Sequence, residues 1–173
     1  MRIYLSLCLA LCMLMIVPTL SYGQKGGEVY ETEPYEVRIK KVYINGVYIP
    51  ENLDDAIREL DSKMSQEALA AFRKYSEEEA ERKAFFSFGR WMMVNWGLEE
   101  GSRLSHYFRQ EGVGVVEDMV RVLMVSYHRH LNDKPLDSET LMNIYKKKRQ
   151  DEQKQKEKER EALIESLRKG GGQ

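Results

Sequence analysis

Five side chains fall where a polar corner could bind a ligand: Asn95, Trp96, Arg103, His106 and Asp118. Most lie in or beside the run from Gly89 to Leu104, where two tryptophans, an asparagine and two arginines converge on the turn between two helical stretches. In a binding reading, Trp96 is a wall, Arg103 and His106 clamp an anion or carboxylate through charge-assisted hydrogen bonds, and Asp118 acts as acid or base. In a structural reading, Trp91 fills the core. Asn95, Ser102 and Arg103 then tie the turn down through backbone hydrogen bonds and an ion pair to Asp118.

Other constellations are weaker. His128 and His130 are two apart, so on a helix they point roughly 200° from one another and cannot share a metal from one face. Glu77-Glu78-Glu79 and Glu117-Asp118 stand in first helical turns, where the helix dipole favours carboxylates. No serine sits in a nucleophile turn, and the stretch from Gly97 to Ser102 lacks the lysine of a phosphate-binding loop. No catalytic residue, metal ligand set or cofactor is expected.

The elements that must position the corner are mostly helical. Asn52 can cap a helix carrying Leu53, Ile57, Leu60 and Met64 on one face, and Ser65 caps the next, with Leu69 and Phe72 inward. Ser76 and Glu79 form a capping box that opens a longer helix burying Ala80, Ala84, Phe85, Phe88, Trp91 and Met92. A helix over 102–111 turns Leu104, Tyr107 and Phe108 inward and stops at Gly112. One over 116–131 buries Met119, Val120, Leu123, Met124 and Tyr127. Asn132 to Pro135 breaks the pattern, and Asp137 caps the last helix. Ahead of this body, Val37, Ile39 and Lys41 alternate as in a strand. Asn45-Gly46 between Val42-Tyr43-Ile44 and Val47-Tyr48-Ile49 signals a hairpin that must lie on the body or on a partner. The expected fold is mainly α: a compact bundle of about five short helices, an N-terminal β-hairpin and a long charged C-terminal helix.

The 173 residues suit one domain with extensions. Arg2, the uncharged run Ile3–Val17, Pro18 and the small residues Ser21 and Gly23 have the layout of a secretory signal cleaved before Gln24. The apolar run is shorter than the ~20 residues of a membrane span; an uncleaved inner-membrane anchor through residues 3–22 is the alternative. Leucine precedes both Cys8 and Cys12, which disfavours acylation. The organisation read is 1–23 signal, 24–49 polar leader and hairpin, 50–145 helical domain and 146–173 charged helical tail. A chain starting at Gln24 has no cysteine, and 26 Lys/Arg against 28 Asp/Glu leave it at −2. That balance disfavours a nucleic-acid partner. The stretch 146–169 carries ten Lys/Arg and six Asp/Glu, hence +4, against −6 for residues 24–145. It reads as a solvated helix with mixed charge spacing, as an arm reaching an anionic partner, or as a coiled-coil seam through Leu163, Ile164 and Leu167.

The chain resembles an uncharacterised bacterial domain-of-unknown-function family from about Tyr48 to Asp137. The resemblance rests on Ile49-Pro50 with Leu53-Asp54-Asp55-Ala56-Ile57, Phe88-Gly89-Arg90-Trp91, Asn95-Trp96-Gly97-Leu98, Gly101-Ser102-Arg103-Leu104-Ser105, Tyr107-Phe108, Asp118-Met119 and Tyr127 to Asn132. It departs from the family pattern at Val94, Glu99 and Val115-Val116, where the family has an arginine, a tryptophan and His-Pro, and just before Gly89, where it has His-Phe. The family has no established activity, so the resemblance implies the boundaries of an α-helical domain more than any function. The two function classes that follow are an exported, non-enzymatic interaction or scaffold protein with an envelope protein partner, and a small-ligand binder or hydrolase using the Trp96/Arg103/Asp118 corner. An immunity or inhibitor protein shares the size class without a motif of its own.

Overall fold

A computed structural model of the chain describes residues 33–170. The signal and anchor readings, and most of the polar leader, lie outside the described residues. No described helix is long and apolar enough to cross a membrane.

The expected strand through Val37, Ile39 and Lys41 is instead one helical turn, α1 (Tyr35–Arg38), whose first carbonyl partner is Pro34. Alternation over so few residues is a weak signal, and Val37 is left 45% exposed, so no apolar face drives a strand. Tyr35 and Arg38 are anchored to the body by their polar ends. The hairpin forms as expected. β1 (Tyr43–Ile44) pairs antiparallel with β2 (Val47–Tyr48), Tyr43 opposite Tyr48 and Ile44 opposite Val47. Asn45 and Gly46 take φ of 50° and 77°, the two positive values that a tight hairpin turn demands. Buried Ile44 and Ile49 seat the hairpin on the helical body.

Helix α2 (Leu53–Lys63) starts where the Asn52 side chain accepts the Asp55 N–H, and it buries Leu53, Ala56, Ile57 and Leu60 on one stripe. α3 (Gln66–Arg73) is capped by Ser65 and buries Phe72. α4 (Glu77–Ala84) opens with the Ser76/Glu79 capping box. The long helix expected from there is continuous but irregular: a π-helical turn, Phe85–Gly89, joins α4 to α5 (Arg90–Asn95). Gly89 lies in that turn against the next layer, where an added Cβ would sit 2.9 Å from Val120 Cγ1. α6 (Arg103–Gln110) and α7 (Val116–Leu131) follow, and α8 (Ser138–Gly170) closes the described chain.

Helix α7 is the hub. It buries Asp118, Met119 and Val120, every residue from Val122 to His128, and Leu131, so it is covered on all sides. Around it pack α2, α3, the α4–α5 rod, α6 and the first turns of α8, whose Leu141, Met142 and Tyr145 are buried. α8 then continues without a break past Tyr145, and from Gln153 to Lys169 its residues are exposed. It is Trp96, read as a pocket wall, that fills the core, and Trp91 packs against it half-buried. Trp96 has no exposed surface, whereas Trp91 is half-buried and meets Trp96 edge-on at 5.6 Å. Trp91 packs against the buried core together with Phe85, Phe88 and Met93.

Candidate functional site

The corner between α5 and α6 is built by local hydrogen bonds. Asn95 Nδ2 donates to the Trp91 carbonyl at 2.9 Å, closing the last turn of α5. Gly97 follows at φ 56°, and the Leu98 N–H reaches back to the Met93 carbonyl at 3.0 Å, a helix stop that a left-handed residue makes possible. Ser102 then caps α6 reciprocally with Ser105. These are the backbone ties that the structural reading of Asn95 and Ser102 expects.

Arg103 does not pair with Asp118. Standing at the first position of α6, it faces the exit of the hairpin. Its Nε donates to the Ile49 carbonyl at 2.5 Å, its guanidinium lies 5.0 Å from the Tyr48 ring centroid, and Asp55 and Glu51 carboxylates stand 3.8 and 3.9 Å away. Asp55 also accepts the Tyr48 hydroxyl at 2.7 Å and the Glu51 N–H at 3.0 Å. Burial pushes the Asp55 carboxyl up, but these donors and Arg58 outweigh it and hold it below its ordinary value.

His106, one turn further along α6, is bound to α1: its Nδ1 and the Tyr35 hydroxyl are 3.0 Å apart. Arg109 donates to Ser105 Oγ at 3.0 Å and comes within 3.5 Å of the same hydroxyl. The Tyr35 ring lies over Gly101, where a Cβ would be 2.5 Å from Tyr35 Cδ2, and Arg38 Nε donates to the Gly101 carbonyl at 2.9 Å. A glycine at this position therefore both permits φ 94° and makes room for the tyrosine.

Asp118 belongs to another place altogether. It lies in the first turn of α7, its side chain 2% exposed, gripped by Arg149 of α8 through Nε at 2.5 Å and Nη2 at 2.8 Å. Arg149 also donates to Glu152 at 2.9 Å. Hydrogen bonding to Asp118 raises the Arg149 pKa further above its ordinary value.

The five sequence candidates are thus distributed rather than assembled. Arg103 and His106 share an open depression of about 400 Å³ with Glu51, Asn52 and Tyr107. Asn95 lines a second, beside Arg38 and the hairpin. Asp118 lines a third, at the foot of α8. Trp96 lies in the core, and its Nε1 has no hydrogen-bond acceptor within reach. The histidines of α7 are also engaged: His128 Nε2 lies 2.7 Å from the Tyr75 carbonyl, and His130 Nε2 lies 2.8 Å from Asp61. Among the described residues, no group of three or more His, Cys, Asp or Glu could hold a metal ion.

Residues 49–131 match a family described as a domain of unknown function, DUF6794. Through this segment the chain is similar to that family. The matched segment runs from the exit of the hairpin to the end of α7, so it contains Arg103, His106 and Asp118 but not the residues that fix two of them. Tyr35, which holds His106, precedes it, and Arg149, which holds Asp118, follows it. Sequence reading missed both partners. For Arg149 a signal exists: it continues the three-and-four spacing of the buried Met142 and Tyr145. No curated protein and no solved structure matches the chain.

Proposed function

We propose that the protein is an exported, non-enzymatic interaction module of the cell envelope, in which the DUF6794-like domain is the folded base and the outer half of α8 is a contact arm. The carrying observation is that arm. Beyond Arg149 and Glu152, α8 runs on for seventeen residues, Gln153 to Lys169, all exposed, and presents Leu163, Ile164 and Leu167 to solvent at 60, 38 and 66% exposure. Apolar side chains displayed on a charged, solvated helix are what a contact surface requires. The chemistry-bearing side chains of the base support the same reading, since Arg103, His106, Asp118, His128 and His130 are each tied to a protein partner. Export rests on the segment from Arg2 to Gly23.

The test is crosslinking of the tagged chain in living cells, followed by mass spectrometry, alongside a copy truncated after Gln153 that keeps Arg149 and Glu152. A defined envelope protein should be captured by the full chain and lost on truncation. Capture by neither form retires the interaction reading. Fractionation with N-terminal sequencing tests export separately: a chain beginning at Gln24 outside the cytoplasm is expected, and a membrane-bound full-length chain would establish the anchor through residues 3–22.

A second reading, a small-ligand site, rests on one observation. Arg103 and His106 share a depression, and Arg103 Nη2 is buried without a hydrogen bond. It predicts that Arg103→Ala abolishes binding of a small carboxylate without lowering the melting temperature. A large drop in stability assigns Arg103 to the fold.

A further inference from the structure

The side of α8 that packs on the base follows alternating steps of three and four: Met142 and Tyr145 are buried, and Arg149 and Glu152 half-buried. The same spacing continues outward as Lys156, Glu159, Leu163 and Ser166, with Leu167 alongside, all exposed. One helix face therefore docks at its inner end and is uncovered at its outer end. Where the docked part stops there is a depression of about 410 Å³, bordered by Gly112, Val113, Gly114 and Val115 and by Lys146 and Arg149 of the helix. A Cβ built on Gly114 meets nothing within 4 Å, so this border has room for a side chain from elsewhere.

We propose that a second copy of this chain covers both features: two α8 arms pair antiparallel about a two-fold axis lying between positions 157 and 158. This rests on the reading of α8 as a contact arm and names what the arm takes. Three observations select a second copy in this orientation. The first is charge. In the antiparallel register Lys156 faces the partner's Glu159, and Glu159 faces the partner's Lys156. A parallel pair would instead set lysine on lysine and glutamate on glutamate. The second is reach. Leu163 and Leu167 stand fourteen and eighteen residues beyond Arg149, which is about 21 and 27 Å along a helix, so a continuous α8 cannot bring them to its own depression. An antiparallel copy does: Leu163 comes to lie along the stem of the partner's Glu152, and Leu167 comes level with the partner's Lys148, next to the partner's Arg149 and the border of its depression. The third is closure. Each arm offers one outer apolar end and one inner depression, so two copies satisfy both and leave neither open, as an isologous interface must. The overlap is short, well under the area of a standard complex of roughly 1,600 Å², so the dimer is weak and concentration-dependent.

Sedimentation velocity on the full chain, from low to high micromolar concentration, reads the pairing directly. The expected result is a reversible monomer–dimer equilibrium. Leu163→Glu with Leu167→Glu should weaken it by about tenfold or more, and Lys156→Glu by about fivefold. Adding Glu159→Lys to Lys156→Glu should restore it to within about twofold, because the exchange re-creates the opposite pairing in this register. All these positions are exposed in the monomer, so far-UV circular dichroism should be unchanged. A chain that stays monomeric throughout, a dimer indifferent to the leucine changes, or a charge swap that fails to restore pairing overturns the proposal. A monomer that still captures an envelope protein through its arm overturns self-pairing alone, whereas a dimer that captures nothing overturns the envelope reading alone.

Discussion

Replacing Arg149 by methionine should cost far more than removing the carboxylate it holds. Asp118 is 2% exposed and its two oxygens are bound by Arg149 at 2.5 and 2.8 Å, whereas the arginine side chain is 35% exposed and has Glu152 as a second partner. Arg149→Met therefore strands a buried charge. Such stranding costs about 3–5 kcal/mol when the site is closed to water. The depression beside Arg149 is open, so screening lowers the figure to about 2–3 kcal/mol. Asp118→Asn instead leaves a cation that is already a third exposed and still paired with Glu152, at a cost of about 1 kcal/mol. The double variant should be more stable than Arg149→Met alone, with a coupling of about 1–2 kcal/mol. Urea unfolding followed by the fluorescence of Trp91 and Trp96 reports on the base and ignores fraying of the outer helix. If Arg149→Met lies within about 0.5 kcal/mol of the parent, or if Asp118→Asn proves the more damaging of the two, the assignment of Arg149 as the anchor of α8 is wrong.

Other outcomes follow from the same geometry. Glu77 accepts two hydrogen bonds from Arg129, both 3.0 Å, and these hold its carboxyl below the usual glutamate value. Its contribution is thus present above the unfolded pKa of about 4.3 and lost as pH falls through the lower folded value. Glu77→Gln should cost about 1 kcal/mol at neutral pH, and the gap to the parent should close below about pH 4 in a pH series of thermal melts. Gly89→Ala gains helix propensity but drives a methyl into Val120 and Met124; overpacking should win by about 1–2 kcal/mol in chemical denaturation. Tyr35→Phe removes the hydroxyl that His106 and Arg109 share. It should cost about 1 kcal/mol and raise amide exchange over residues 33–41 while leaving α7 protected.

The helical base was legible because its signals are local. Asn52, Ser65 and Ser76 cap where their types predict, and Asn45-Gly46 turns the hairpin. α7 begins and ends where its apolar pattern does. What stayed hidden is what distant segments decide. The π-helical turn at Phe85–Gly89 leaves no composition signal, and it is Trp96, not Trp91, that is wholly buried in the core. Val37 and Ile39 look strand-like, but the anchoring of Tyr35 and Arg38 some 63 to 74 residues away in sequence sets that segment's shape. Arg103 and Asp118 are both in the polar corner by sequence proximity, and each is claimed by a different long-range partner: the Ile49 carbonyl for one, Arg149 for the other. Opposite charges brought near one another by a turn name a possible pair; the packing of a third element chooses the actual one.

The Arg149–Asp118 pair also separates two meanings of the word domain. Recurrence among relatives marks out residues 49–131, but the unit that can stand by itself in water is set by which buried groups find their partners. A fragment cut at the recurrent limits would carry a bare carboxylate on α7, and it would lose the covers that Ile44 provides on one side and Leu141, Met142 and Tyr145 on the other. The heritable module and the cooperative folding unit are therefore different objects in this chain. The flanking segments are scaffolding that the module borrows, and a lineage that shortened them would have to re-cover the hub helix by other means.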